Sequence, residues 1–303
     1  MDFRETQAKG ILSKCGIPGI DYVINPYTGC RFGCTYCYAS FMGRFIEGKG
    51  VKDWGEYVFA KTNAPELLKK ELQTKFKKDK GKGIEIFLSS VTDPYQGVEA
   101  KYKITRQCLE AIADFGFEGY VSILTKSDLV TRDIDVFKRL KHVVVGMTVT
   151  STDDSISKYF EKFAPKVSLR FKALKTLNEA GIGTYAFIGP LLPHYVADKS
   201  ELEKVFKKLA EIGTKDIFVE HLNLSKYIRG RLVSEMGGAE PEIIQKFYDS
   251  QSEDYREALN EIVMELVKKY DMNLLKGEVI FHKEFQQAEA KKEVPWKHEH
   301  NKV

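Results

Sequence analysis

The sequence has no apolar run approaching the roughly 18–20 residues that a membrane-spanning helix needs, which excludes a protein built on such helices. No secretory leader is visible, because Asp2, Arg4, Glu5, Lys9 and Lys14 interrupt the amino terminus, and a cytoplasmic location is expected. Large net charge is missing as well. Lys and Arg number 47 against 43 Asp and Glu, and the resulting +4 permits an anionic substrate without indicating nucleic acid. The cations are mostly Lys, which suits a solvated surface better than bidentate phosphate clamps. Cysteine is scarce and odd in number: of five, Cys30, Cys34 and Cys37 fall close together, while Cys15 and Cys108 stand alone. A chain of 303 residues needs no disulfide staple, so clustered thiols point to a reducing compartment and a metal. Against these absences stand 19 Phe, 15 Tyr and 43% hydrophobic residues, enough to exclude disorder and to bury a substantial core.

Short apolar segments alternate with amphipathic ones along most of the chain. Strands are predicted over residues 21–25, 84–89, 120–125, 143–150, 183–188 and 216–221, each rich in β-branched or aromatic residues. Helices are predicted over 64–78, 105–115, 133–140 and 168–180, and over a segment that opens at Ser200 and Glu203 as a capping box and reaches Ile212. Gly181 and Gly213 supply the left-handed stops of the last two. A long helix over 241–270, broken near 249–252, and a strand over 278–281 complete the pattern. Six strand-then-helix units at intervals of about 30 residues predict an α/β fold with a parallel sheet, a partial (β/α)6 barrel rather than an eight-stranded one. There is no internal repeat. The expected organisation is a core over residues 1–235 that includes an N-terminal extension, followed by a C-terminal helical extension and tail over 236–303 packed on the same domain. His298 and His300 in that tail, and the Lys-rich run 75–82, read as solvated.

The chemistry concentrates in Asn25-Pro-Tyr-Thr-Gly-Cys30-Arg-Phe-Gly-Cys34-Thr-Tyr-Cys37-Tyr38. Cys-x3-Cys-x2-Cys in a glycine-rich loop directly after a strand brings three thiolates to one centre, and three cannot complete a four-cysteine site. A cubane [4Fe–4S] cluster held this way keeps one iron open for a ligand, as catalytic zinc keeps an open position. Two other readings stand beside it. The thiols could bind zinc with His194, His221 or Cys108 as fourth ligand, or hold an electron-transfer cluster completed by Cys15 or Cys108. Cys108 also lies on an apolar helix face with Leu109 and Ile112, the setting of a core cysteine.

These residues closely resemble the radical S-adenosylmethionine (SAM) superfamily, with Tyr36 in the aromatic position before the last cysteine. The resemblance spans roughly residues 20–225. Asn25 to Cys30, Ser90-Val-Thr-Asp-Pro-Tyr95, Thr125-Lys126, Phe160-Glu161, Arg170 and the strand over 186–190 are similar to the spore photoproduct lyase-related branch. It implies a TIM-like partial barrel of the radical SAM type and a cluster on Cys30, Cys34 and Cys37. It also implies SAM chelated by the open iron, and an electron donor such as flavodoxin or ferredoxin. Reductive cleavage of SAM would give a 5′-deoxyadenosyl radical that takes hydrogen from a substrate left unassigned, in a lyase-like reaction. By the same resemblance Thr92 and Asp93 face the amino acid end of SAM, Lys126 takes its carboxylate, Thr148 adds a hydroxyl, and Arg170 joins this cofactor group. Tyr38 packs beside the cofactor.

The lyases carry a hydrogen-donating cysteine where this chain has Ser90, whose O–H bond is too strong for that task, so thymine-lesion repair by that route is not expected. Tyr36, Tyr38 and Tyr95 are the alternative hydrogen donors. Plainer readings of single residues remain: Asp93-Pro94 as a turn, Arg170 as a partner of Glu161, and Glu220 with His221 as a satisfied pair at the barrel mouth. An enzyme that modifies nucleotides or nucleic acid is the alternative within the class, and a non-enzymatic iron–sulfur or zinc protein the alternative outside it.

Overall fold

The computed structural model describes residues 1–282. Six parallel strands form the frame: β1 (Tyr22–Ile24), β2 (Glu85–Leu88), β3 (Tyr120–Thr125), β4 (His142–Val149), β5 (Gly183–Leu191) and β6 (Asp216–His221). They lie side by side in sequence order, each parallel to the next. Leu12–Lys14 adds an antiparallel strand beyond β1, and Asn273–Leu274 a parallel one beyond β6. This is the partial TIM-like barrel that the strand-then-helix rhythm implied.

The crossovers carry α1 (Ala64–Phe76), α2 (Ile104–Phe115), α3 (Ile134–Phe137), α4 (Val167–Glu179), α5 (Lys199–Glu211) and, after β6, α6 (Glu253–Lys269). Alternate strand residues point outward onto these helices. Ile86, Leu88, Ile123, Val145, Met147, Ile188, Ile217 and Val219 are sealed against residues such as Leu72, Leu109, Leu174, Leu209 and Leu266. Each such side chain contributes about 1.5–3 kcal/mol by leaving water, which explains why the strands read as near-continuous apolar runs. Val23, Phe87 and Tyr185 are buried yet stand apart from this outer core, on the inner face of the sheet.

Local chemistry moved several boundaries. Asp198, not Ser200, caps α5: its carboxylate accepts the amide N–H groups of Ser200 and Glu201, and the helix starts one residue before the expected box. The expected helix over 133–140 is a 3-10 turn, Asp128–Asp133, followed by the single turn of α3, because Ser127 caps the segment early and Asp133 is drawn into ion pairs with Arg106 and Arg132. The long C-terminal helix is two, Pro241–Asp249 and α6, parted where expected. The strand expected over 278–281 is reduced to one bridge between Ile280 and Glu220, while Asn273–Leu274, not foreseen, pairs with β6. His298 and His300 lie outside the described residues.

An N-terminal three-stranded sheet, Asp2–Thr6 with Tyr57–Lys61 and Tyr27–Thr28, flanks the loop that carries the three cysteines. The helix Lys226–Glu235 packs against the 3-10 helix Tyr38–Phe45 that leaves that loop.

Candidate functional site

The three cysteines lie in the loop after β1, at the C-terminal end of the barrel, where ligands of parallel α/β folds bind. Two glycines turn the loop. Gly29 has φ +81°, and a Cβ there would fall 2.4 Å from the Tyr57 carbonyl oxygen; Gly33 has φ +60° and packs against Gly55. Only glycine meets both demands at Gly29, an αL backbone and a contact too close for any side chain.

The exit of β2 anchors this loop. Asn25 Oδ1 accepts the amide N–H groups of Ser90 (3.1 Å) and Val91 (3.3 Å). Thr92 donates its hydroxyl to the Gly29 carbonyl at 2.5 Å. Gln96, fully buried, donates to the same carbonyl and to Thr92 Oγ1, and accepts the Arg31 N–H at 2.8 Å. Tyr38 donates its phenol to the Ser90 carbonyl, which brings two of the expected catalytic residues together. Asp93 is buried and accepts three hydrogen bonds, from Thr125 Oγ1 (2.6 Å), Lys126 N–H (2.9 Å) and Tyr95 N–H (2.9 Å). Burial raises its pKa while those donors lower it, with burial the stronger. The bond to Tyr95, two residues on, is the Asp-Pro turn allowed for above.

Beyond the loop lies a sealed ionic group. Glu161 is fully buried and receives the Tyr36 phenol, the Arg170 guanidinium and, at 3.4 Å, Thr150 Oγ1. Burial would raise the Glu161 pKa, but Arg170 and Lys126 hold it below the ordinary carboxylate range. Arg170 is equally buried; it also donates to the carbonyls of Thr148 (3.1 Å) and Pro165 (2.8 Å). The pairing of Arg170 with Glu161 is therefore present, and its guanidinium is occupied by protein groups. Lys126 holds its ammonium 5.7 Å from the centre of the Tyr36 ring. Burial works against its charge, yet Cys34, Glu161 and Cys37 leave its pKa raised.

The thiols themselves are sheltered. Burial pushes Cys30 far up, Cys34 to about 12 and Cys37 up, while Lys126 acts in the opposite sense on Cys34 and Cys37. A thiol so placed keeps its proton in water near neutral pH, and a cationic metal centre takes the proton's place. One more cation was not foreseen. Arg231, from the helix Lys226–Glu235, crosses to donate to the carbonyls of Gly33 (3.3 Å), Cys34 (3.2 Å), Thr35 (3.3 Å) and Val51 (2.9 Å). Three soft donors on a glycine-turned loop, with Lys126 and Arg231 beside them, fit an anionic iron–sulfur cluster.

Three of the four candidate fourth ligands are engaged elsewhere, while Cys15 is half-buried and accepts the Ile17 N–H at 3.5 Å. His194 Nδ1 contacts Lys246 at 3.3 Å, His221 packs between Tyr255 and Phe281, and Cys108 is sealed in the outer core. Among the described residues, no three His, Cys, Asp or Glu side chains form a group suited to a single metal ion. Glu220 and His221 are not a pair. They point to opposite faces of β6, with Glu220 bound to His282 at 2.7 Å. Of the three tyrosines weighed as hydrogen donors, Tyr36 and Tyr95 give their phenols to the buried carboxylates Glu161 and Asp133, and Tyr38 stands at the mouth with half its surface exposed.

Comparison with known proteins agrees with this geometry. Residues 24–209, from the end of β1 into α5, match the Radical SAM superfamily. An uncharacterized protein of Methanocaldococcus jannaschii is 42% identical over 191 residues, 63% of this chain and 68% of that protein. The Radical SAM Nalpha-GlyT isomerase of Pseudomonas phage M6 is 25% identical over 199 residues, 64% of this chain and 38% of the isomerase. Spore photoproduct lyase shares the fold, with a TM-score of 0.67 at 13% identity over 91% of this chain and 80% of the lyase. No helix among the described residues is long and apolar enough to cross a membrane. With the matched region covering the cysteine loop and the greater part of the barrel, the chain belongs to the radical SAM superfamily.

Proposed function

We propose that the protein holds one [4Fe–4S] cluster on Cys30, Cys34 and Cys37, binds SAM across the C-terminal ends of β2, β3 and β4, and acts on a substrate in the barrel mouth. The observation that carries this reading is the loop itself: three thiols lie on one short segment turned by Gly29 and Gly33, with Lys126 beside Cys34 and Cys37, and Cys108 sealed away in the outer core. Bound there, cluster and SAM would supply the radical chemistry, reductive cleavage of SAM followed by hydrogen abstraction from the substrate, with the electron coming from a donor such as flavodoxin or ferredoxin.

The chain's own share is positioning. Lys126 offers the cation for the SAM carboxylate, and Thr148 offers a hydroxyl on the inner face of β4, opposite the outward Met147 and Val149. Thr92 and Asp93 act through the loop and the β3 exit, to which their side chains are bonded. Arg170 acts through Glu161, which fixes the Tyr36 ring beneath Lys126. Tyr38 and Ser90 border the space where a substrate radical would form.

Anaerobic reconstitution tests the reading. The wild-type protein should bind about four irons and absorb broadly near 400 nm, and the reduced form should release 5′-deoxyadenosine from SAM. Replacing Cys30, Cys34 and Cys37 by Ala should abolish all three signals, whereas Cys15→Ala and Cys108→Ala should keep them. Loss of the cluster in either single variant returns the protein to a four-thiolate, electron-transfer reading.

A second reading, a radical enzyme acting on nucleotides, draws on spore photoproduct lyase, one structure of which holds dinucleoside spore photoproduct. For that substrate, Ser90 decides the expectation. Reduced protein with SAM should give no multiple-turnover restoration of thymines by mass spectrometry. Repair that appears only with Ser90→Cys would map the site and leave the native substrate different.

A further inference from the structure

The inner face of the barrel differs along its circumference. On β5 and β6 the inward residues are Tyr185, Phe187, Gly189, Phe218 and Glu220. Phe218 contacts Tyr185 at 5.4 Å and Phe187 at 6.1 Å between ring centres. Phe187 and Phe218 are only half-buried although they lie in the middle of a sheet, so their faces look onto open space. At the top of this wall the register breaks: Val219 pairs with Ile188 but His221 with Leu191, so Gly189 and Pro190 together oppose Glu220. Such a bulge re-aims a side chain, and bulges gather beside active sites. A Cβ on Gly189 would meet Glu220 Cβ and Phe187 Cε1, each at 3.1 Å, so the absent side chain leaves space between the Glu220 stem and the Phe187 ring.

Glu220 is held without being closed off. His282 Nε2 lies 2.7 Å from its Oε1, brought there by Ile280, which bridges to β6. The pair keeps a quarter to a third of its side-chain surface exposed. A carboxylate with one hydrogen-bond partner among the described residues, on the same face of the sheet as two aromatic rings, matches a flat ligand that offers an N–H at its edge.

We propose that Glu220, steadied by His282 and given space by Gly189, is the substrate-binding carboxylate of this barrel, and that it takes the N–H edge of a planar heterocycle lying on Phe187 and Phe218. The proposal deepens the radical-enzyme reading by naming the substrate class, yet the binding it describes needs no turnover.

The test uses the full chain with its cluster reconstituted, and measures equilibrium binding of uracil and of phthalimide beside 1,3-dimethyluracil and N-methylphthalimide. At least one N–H probe should bind at millimolar concentration, and its methylated counterpart about tenfold or more weakly, the scale of a lost charge-assisted hydrogen bond. Glu220→Gln should weaken the N–H probe by a similar factor and leave the methylated one unchanged; retained absorbance near 400 nm shows that the variant is folded. Gly189→Ala, which narrows the space, should weaken both probes. Absence of binding by both N–H probes, equal binding of methylated and parent compounds, or an unaltered Glu220→Gln variant overturns the proposal. Failure of SAM cleavage with binding intact would overturn the radical-enzyme reading instead.

Discussion

The two sides of the barrel mouth are built on different principles. Around β1 to β4, polar side chains are tied to one another or to backbone: Asn25 holds the Ser90 amide, Thr92 and Gln96 hold the Gly29 carbonyl, Asp93 holds Thr125, and Tyr36 and Arg170 meet on Glu161. Around β5 and β6 the inner wall is aromatic, interrupted by a glycine, and carries the carboxylate Glu220 at its top. The first side has the character of a preorganised holder, in which atoms must be fixed before a cofactor arrives. The second has the character of a receiving surface, where hydrogen-bonding capacity is left for a ligand. Under the proposed function, a cofactor held on the first side and a substrate received on the second call for this division.

Breaking the holder should have the largest effect. Arg170→Ala takes from Glu161 its direct ion-pair partner in a fully buried site, and should destabilise the protein by about 3–5 kcal/mol in denaturant unfolding. The same group predicts an acid limb. The Glu161 pKa is lower in the folded protein than its ordinary value of about 4.3, so its contribution is complete at neutral pH and fades as pH falls below that value through the lowered one. In Arg170→Ala this limb should flatten.

Lys126→Ala separates holding from binding. Its ammonium makes no hydrogen bond within the loop, so the fold should persist while SAM affinity falls by roughly 1.5–3 kcal/mol, read by equilibrium binding. A loss of stability comparable to that of Arg170→Ala would erase the distinction between the two cations.

The smallest expected effect concerns the outer clamp. Arg231→Ala removes contacts to three loop carbonyls and to that of Val51, which water can partly replace in a half-buried position, and should cost about 1–2 kcal/mol. The more telling readout is the cluster's half-life against a chelator, which should shorten. An unchanged half-life would show that the loop is rigid through Gly29, Thr92 and Gln96 alone.

Much of the frame was legible beforehand, because strand burial and helix amphipathicity are properties of neighbours in sequence. Residues 120–125 and 216–221 were placed to the residue, and the break near 249–252 was foreseen. The misses came where a distant or competing partner intervened. Asp198 outbid Ser200 for the α5 amides, and Asp133 was claimed by Arg106 and Arg132 rather than by a helix. Two residues central to the loop, Gln96 and Arg231, carried no sequence signal; Arg231 reaches a carbonyl 197 positions away from a helix whose own pattern is barely amphipathic. Glu220 was noticed but coupled to the wrong neighbour, since adjacent residues of a strand point to opposite faces.

By itself the sequence determined the cysteine triplet, the loop that bears it and the rhythm of six strands, because motif spacing and hydrophobic period act over a few residues. Only the tertiary structure decided which polar groups are consumed in holding that loop and which remain for a ligand. That Arg170 faces Glu161, that Arg231 grips the cysteine loop and that Gly189 clears space for Glu220 depend on contacts between elements far apart in the chain. Such contacts exist only once the sheet has assembled and its alternate residues have been divided between the helices and the barrel's inner face.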